Sequence, residues 1–273
     1  MKFAICNEMF EGWEFDRVCG FIAECGYDGV EIAPFTFNDD PGRISEAEAV
    51  RIGQTARSAG LELTGMHWLL AKPAGLHVTT PDDAVRQRSI KHAQHLARLC
   101  AAMGGRIMVW GSPKQRDVVD THEQAFERAT DAFRQVCAVA GPLGVTIALE
   151  PLGPDETTFM LFAEDTVKLM HAVDHPACRL HLDVKAMSQE HKPVAQVIRD
   201  NAEHVAYFHA NDANRRGPGF GDTDFVPIAA ALKDAGYNGF VSVEVFDYKP
   251  DPPTIARDSL AHLKETFGAA GAI

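Results

Sequence analysis

The chain has no run approaching the roughly 20 consecutive apolar residues that a membrane-crossing helix needs, although 46% of its 273 residues are hydrophobic. No membrane partner is expected. The opening residues, MKFAICNEMFEGWEFD, place acids where an export signal needs an unbroken apolar core, and no small-residue cleavage site follows. Export by that route is not expected. Positive charge is scarce: 26 Lys and Arg face 38 Asp and Glu, a net charge of −12. Nucleic-acid binding draws most of its affinity from cations that neutralise phosphates, so a chain this acidic, with no basic run, does not point to that partner. The six cysteines (Cys6, Cys19, Cys25, Cys100, Cys137 and Cys178) form no C-x-x-C pair. They read as reduced, buried thiols of a cytoplasmic protein. Linkers, low-complexity segments and charge blocks are also missing. The expectation is a single domain over residues 1–273, large enough to bury a core without disulfides.

What is present alternates. Short runs rich in Val, Ile or aromatics recur: KFAIC at Lys2, GVEIA at Gly29, LELTGMHW at Leu61, RIMVWGS at Arg106, VTIALEP at Val145, CRLHLDV at Cys178, VAYFHAND at Val205 and GFVSVEVF at Gly239. Such runs read as buried strands. Helix signals lie between them. Ser45-Glu-Ala-Glu48 is a capping box. Thr80-Pro-Asp-Asp83 offers Thr80 as N-cap, with Pro at the first helical position. Thr121-x-x-Gln124 opens a helix whose Ala125, Ala129, Phe133, Val136 and Ala140 share one face, and Gly141-Pro142 stops it. Eight strand–helix units predict an α/β protein with a parallel sheet closed into a (β/α)8 TIM barrel. The doubly wound open sheet is the alternative, but the first βα turn, CNEMFEGW, carries no G-x-G-x-x-G. Barrels place their chemistry at the C-terminal ends of the strands.

Four consecutive strands end in a candidate metal ligand: Glu150, Asp183, His209 and Glu244. Three carboxylates brought together repel one another unless something positive sits among them. One divalent cation is the expected cofactor, with a structural network to Lys or Arg as the alternative. Mainly oxygen donors, one imidazole and no thiolate favour Mn²⁺, Mg²⁺ or Co²⁺, with Zn²⁺ also compatible.

These residues bring a family into view. The chain resembles the sugar phosphate isomerase/epimerase group of xylose isomerase-like barrels, which includes ketose 3-epimerases, hydroxypyruvate isomerases and endonuclease IV. The similarity runs from GYDGVEI at Gly26 to SVEVFDY at Ser242. Its specific part is E-P-L at Glu150, H-L-D at His181, H-A-N-D at His209 and S-V-E at Ser242. The resemblance to ketose 3-epimerases implies one divalent ion, Mn²⁺ foremost, on Glu150, Asp183, His209 and Glu244. It implies that Glu150 and Glu244 act as acid and base on opposite faces of the sugar, and that Glu156 and Arg215 form a pair contacting substrate oxygens. It also implies a carbohydrate substrate and a homo-oligomer, dimer or tetramer. Endonuclease IV is set aside: Ala186 stands where that enzyme has a histidine ligand, and GPGFGDTDF after His209 lacks its D-x-H pair.

Ala186 also departs from the ketose 3-epimerases, which carry a substrate-binding histidine there. Beside it, Lys185 is two residues from Asp183, on the same side of a regular strand. It either holds a substrate oxygen or leaves the barrel to cap a loop. His67, at the end of the third strand, is a candidate substrate contact. His181 and Glu31 read as interior groups, and Phe10, Trp13, Trp68 and Trp110 as mouth aromatics or core. The functional expectation is an isomerase or epimerase that moves a proton next to a carbonyl through an enediolate. A keto-glycoside lyase or hydratase on the same site and a non-catalytic sugar-binding barrel are the alternatives.

Overall fold

In a computed structural model, residues 1–273 are all described. Eight parallel strands close on themselves: β1 (Lys2–Cys6), β2 (Gly29–Ile32), β3 (Glu62–Met66), β4 (Ile107–Trp110), β5 (Thr146–Leu149), β6 (Cys178–Asp183), β7 (Val205–Ala210) and β8 (Phe240–Val243), with β8 bonded back to β1. Around them run α1 (Phe15–Cys25), α2 (Glu46–Ser58), α3 (Asp83–Met103), α4 (His122–Ala140), α5 (Ala163–Val173), α6 (Val184–Met187), α7 (Val194–Asp200), α8 (Phe225–Asp234) and α9 (Pro252–Ala269). This is the expected TIM barrel. No helix is long and apolar enough to cross a membrane, and all six cysteines are free thiols.

Local chemistry starts the helices where the sequence signals stand, with one exception. Ser45 and Glu48 close a complete capping box on α2, and Thr121 Oγ1 accepts from the Gln124 amide on α4. For α3 the cap is Asp82, not Thr80: Asp82 Oδ1 accepts from the Val85 amide at 3.1 Å. The Thr80 hydroxyl instead accepts from the Asp82 amide at 3.3 Å. Thr80 lies too far upstream to reach the free N–H groups of the first turn.

Apolar side chains fill the layer between sheet and helices, among them Ile22, Ile90, Leu96, Phe133 and Leu232. The barrel interior differs. A small apolar plug of Val109, Ala148 and Tyr207 closes its lower part. Above the plug the buried side chains are polar: Glu31, Thr64, His181, His209 and Ser242. Strand side chains alternate with a period of two. Hence Ala148 predicts an inward Glu150, His181 an inward Asp183, Tyr207 an inward His209 and Ser242 an inward Glu244. Register shifts interrupt the ladder at Val30/Glu31 and at Leu180/His181, beside the site whose side chains they help aim.

Candidate metal centre and active site

The four strand-end residues meet. Donor atoms of Glu150, Asp183, His209 and Glu244 all lie within 4.8 Å of one another. All four residues are buried, at 0–5% exposure. His209 Nδ1 is 3.1 Å from Glu244 Oε2, and its Nε2 lies 3.0 and 3.1 Å from the two oxygens of Glu31. A carboxylate only accepts, so Nε2–H donates to Glu31 and, in the metal-free protein, Nδ1–H donates to Glu244; loss of the Nδ1 proton would free that nitrogen for a cation. Metal-bound histidines are commonly oriented in this way. Glu31 also accepts from Ser242 Oγ at 2.7 Å and Tyr207 OH at 2.9 Å. Burial works against its charge, but His209, His67 and Ser242 outweigh that and hold its carboxyl well below the usual range. Asp183 is fixed from two sides, by the Ala186 amide at 2.8 Å and by the Asn211 side-chain amide.

The electrostatics suit a cation. Burial, with Glu244 and Asp183 nearby, pushes the Glu150 carboxyl up to about 8, and burial raises Asp183 as well. Neither buried cation serves as their counter-ion through a direct bond. The Lys185 ammonium donates to both oxygens of Glu156, at 2.9 and 2.8 Å. The Arg116 guanidinium donates through Nη1 to the main-chain carbonyls of Trp110 and Glu150, at 3.2 and 2.6 Å. Three carboxylates and one imidazole in a buried cluster fit a hard or borderline divalent ion.

The cavity beside this cluster is lined by Glu150, Glu244, Lys185, Glu156, His67, Trp68 and Phe246, with Gly111 and Leu152 among its other walls. Gly111 leaves the Glu150 carboxylate its place there, because a Cβ would stand 1.8 Å from Oε2. Lys185 points into the mouth, 4.3 Å from the centre of the Phe246 ring, but not by strand alternation. The strand ends at Asp183, whose carboxylate caps the helical turn α6, and Lys185 rides on that turn. Glu156 pairs with Lys185 rather than with Arg215. Arg215 is exposed, and its guanidinium sits 5.5 Å from the Phe246 ring centre. His67 is buried in the wall, 3.0 Å from Glu8 and 3.9 Å from Glu244. Burial would lower it, but Glu8, Glu31 and Glu244 hold it at about 9. His181 meets His209 edge-on with ring centres 4.2 Å apart, and burial keeps its imidazole neutral. Of the aromatics, Trp68 reaches the cavity, Trp110 packs in the core on Phe133, and Phe10 and Trp13 pack on Phe21.

Glu8, Arg116, Asn211 and Phe246 were not singled out from the sequence. Asn211 and Glu8 carried a usable signal. Each lies two residues beyond an interior strand residue, His209 and Cys6, so the same alternation points to the mouth. Phe246 likewise lies two beyond Glu244. Arg116 sits on a short 3-10 turn, where no periodicity applies.

The chain belongs to the xylose isomerase-like TIM barrel family, whose model matches residues 19–266. It is similar to D-psicose 3-epimerase of Ruminiclostridium cellulolyticum, at 29% identity over 232 residues, covering 82% of this chain and 76% of the relative. It is also similar to 3-dehydro-D-guloside 4-epimerase of Escherichia coli K12, at 25% identity over 275 aligned positions, covering 97% and 99% of the two chains. A solved L-ribulose 3-epimerase superimposes with a TM-score of 0.87 at 22% identity, over 99% of this chain and 95% of that one, which shows the shared fold. By its relatives the protein is an enzyme of the isomerase class, similar to ketose 3-epimerases.

Proposed function

We propose that the protein is a metal-dependent sugar epimerase that inverts a carbon next to the carbonyl of a ketose, with Glu150 and Glu244 as its acid/base pair. The observation that carries this reading is the convergence of Glu150, Asp183, His209 and Glu244, with both glutamates also walling the cavity that holds Lys185. These four residues would hold one divalent ion, Mn²⁺ foremost. Such an ion polarises a substrate carbonyl and stabilises the negative charge that grows on its oxygen. The chain's own residues do the rest. Glu150 and Glu244 follow β5 and β8, three strands apart around the barrel, which suits groups acting on opposite faces of a sugar. One takes the proton beside the carbonyl and the other returns a proton to the far face of the enediolate. The Lys185 ammonium, held by Glu156, supplies a cation for a substrate oxygen as negative charge develops. His67 offers a further substrate contact, and Arg215 stands at the rim beside Phe246. The same reading places the protein in the cytoplasm as a homo-oligomer, dimer or tetramer.

A keto-glycoside is the second substrate class. It is favoured by the end-to-end match with the 4-epimerase. A lyase or hydratase reaction on such a substrate would use the same two glutamates. Incubation of the Mn²⁺-loaded protein with ketoses and 3-keto-glycosides in heavy water distinguishes these. Deuterium next to the carbonyl of an intact, inverted sugar is expected. Release of a leaving group would establish the lyase reaction instead, and no exchange on any member of the panel would refute the epimerase reading.

A further inference from the structure

A second group of donors stands beside the first and shares Glu244 with it. Glu8, on the loop after β1, His67, just beyond β3, and Glu244 place donor atoms within 4.8 Å of one another. The three residues are 6%, 1% and 5% exposed. His67 Nε2 approaches Glu8 Oε2 to 3.0 Å, yet neither ring nitrogen makes an aligned hydrogen bond and Glu8 Oε2 has no hydrogen-bond partner. A buried polar atom left in that state is unfavourable. Close approach without an N–H aimed at the oxygen fits donors that share a cation better than donors that share a proton.

The charge count agrees. Glu8, Glu31, Glu150, Glu156, Asp183 and Glu244 are six carboxylates buried or nearly so around this mouth. Lys185 and Arg116 are the two buried cations among them. The buried carboxylates thus outnumber these two side-chain cations, a surplus that a cation on the Glu8, His67 and Glu244 donors would reduce. Two carboxylates with one imidazole suit the same hard or borderline class of ion as the first group. His67 and Glu244 line the cavity that contains Glu150 and Lys185, so a cation held there would border the substrate space.

We infer that Glu8, His67 and Glu244 form a second divalent-cation site, weaker than the first because it offers three protein donors instead of four, with Glu244 shared between them. The inference rests on the reading of Glu244 as a ligand of the first ion. Tag-free protein is stripped with chelator and titrated with Mn²⁺ alone by equilibrium dialysis with elemental analysis. Wild type is expected to bind two equivalents, the weaker of which is lost in both Glu8→Gln and His67→Gln. Electron paramagnetic resonance of the fully loaded wild type should show two coupled ions, and Glu8→Gln should return an isolated-ion spectrum. Thermal melts of the variants confirm that they fold. A single equivalent at saturation overturns the inference, as do two equivalents that survive both substitutions. One equivalent that is lost in Asp183→Asn and kept in Glu8→Gln would uphold the first site while rejecting the second. No bound Mn²⁺ at all would reject both.

Discussion

Lys185 Nζ lies 2.9 and 2.8 Å from the two oxygens of Glu156, so the cation at the mouth is held by a partner outside the cluster of Glu150, Asp183, His209 and Glu244. Lys185→Met should therefore leave Mn²⁺ affinity within a few-fold of wild type while lowering kcat. The substitution also leaves Glu156 without its counter-ion, at a cost of about 3 kcal/mol, and Tm should fall. Adding Glu156→Gln should recover much of the Tm but not the turnover. Recovery of both would show that Lys185 is structural only.

Glu244→Gln keeps the shape of the side chain and removes its ability to carry a proton between substrate and solvent. Turnover should drop at least about a hundredfold, the usual range for a lost acid/base group. Deuterium exchange into substrate, measured separately from epimer formation, tells which face Glu244 serves. A near-normal kcat would reject the acid/base assignment.

Gly111 faces Glu150 so closely that a Cβ would stand 1.8 Å from Oε2. The obstructing atom is the end of a side chain, not backbone, so Gly111→Ala should fold and turn the Glu150 carboxylate aside. Mn²⁺ affinity should fall by about tenfold or more, the scale seen when ligand orientation is disturbed. Calorimetric titration of Mn²⁺ into the stripped variant checks this. Unchanged affinity would mean that Glu150 has another productive rotamer.

Mn²⁺ binding should strengthen as pH rises. In the metal-free protein, burial and the neighbouring Glu244 and Asp183 keep Glu150 protonated up to about pH 8. Glu31 and Glu244 overcome burial to hold the His209 imidazole in its charged form well above its ordinary range. Both groups must lose a proton to ligate a cation. Below about pH 8 each unit fall in pH weakens apparent affinity by about tenfold for every proton that binding must displace. Above that the Glu150 contribution levels off. Calorimetry in buffers of different ionisation enthalpy counts the protons, and a pH-independent affinity would contradict this account.

The path of the chain and the convergence of the four strand-end residues were legible in the sequence, because both follow from strictly local rules. Strand side chains alternate, so Tyr207 announces His209 and Ser242 announces Glu244. A barrel directs chemistry to strand ends. The caps at Ser45 and Thr121 act within one turn of their own residues. What only the tertiary structure decided lies where these periodicities stop. The strand at Asp183 gives way to a helical turn, and that turn, not alternation, carries Lys185 to Glu156 and leaves Arg215 against Phe246 at the rim. Glu31 joins His209 across the closed barrel, and Glu8 meets His67 from a different strand end. Such pairings join residues far apart in sequence inside a low-dielectric interior. There the partner, not the residue type, sets charge state and orientation.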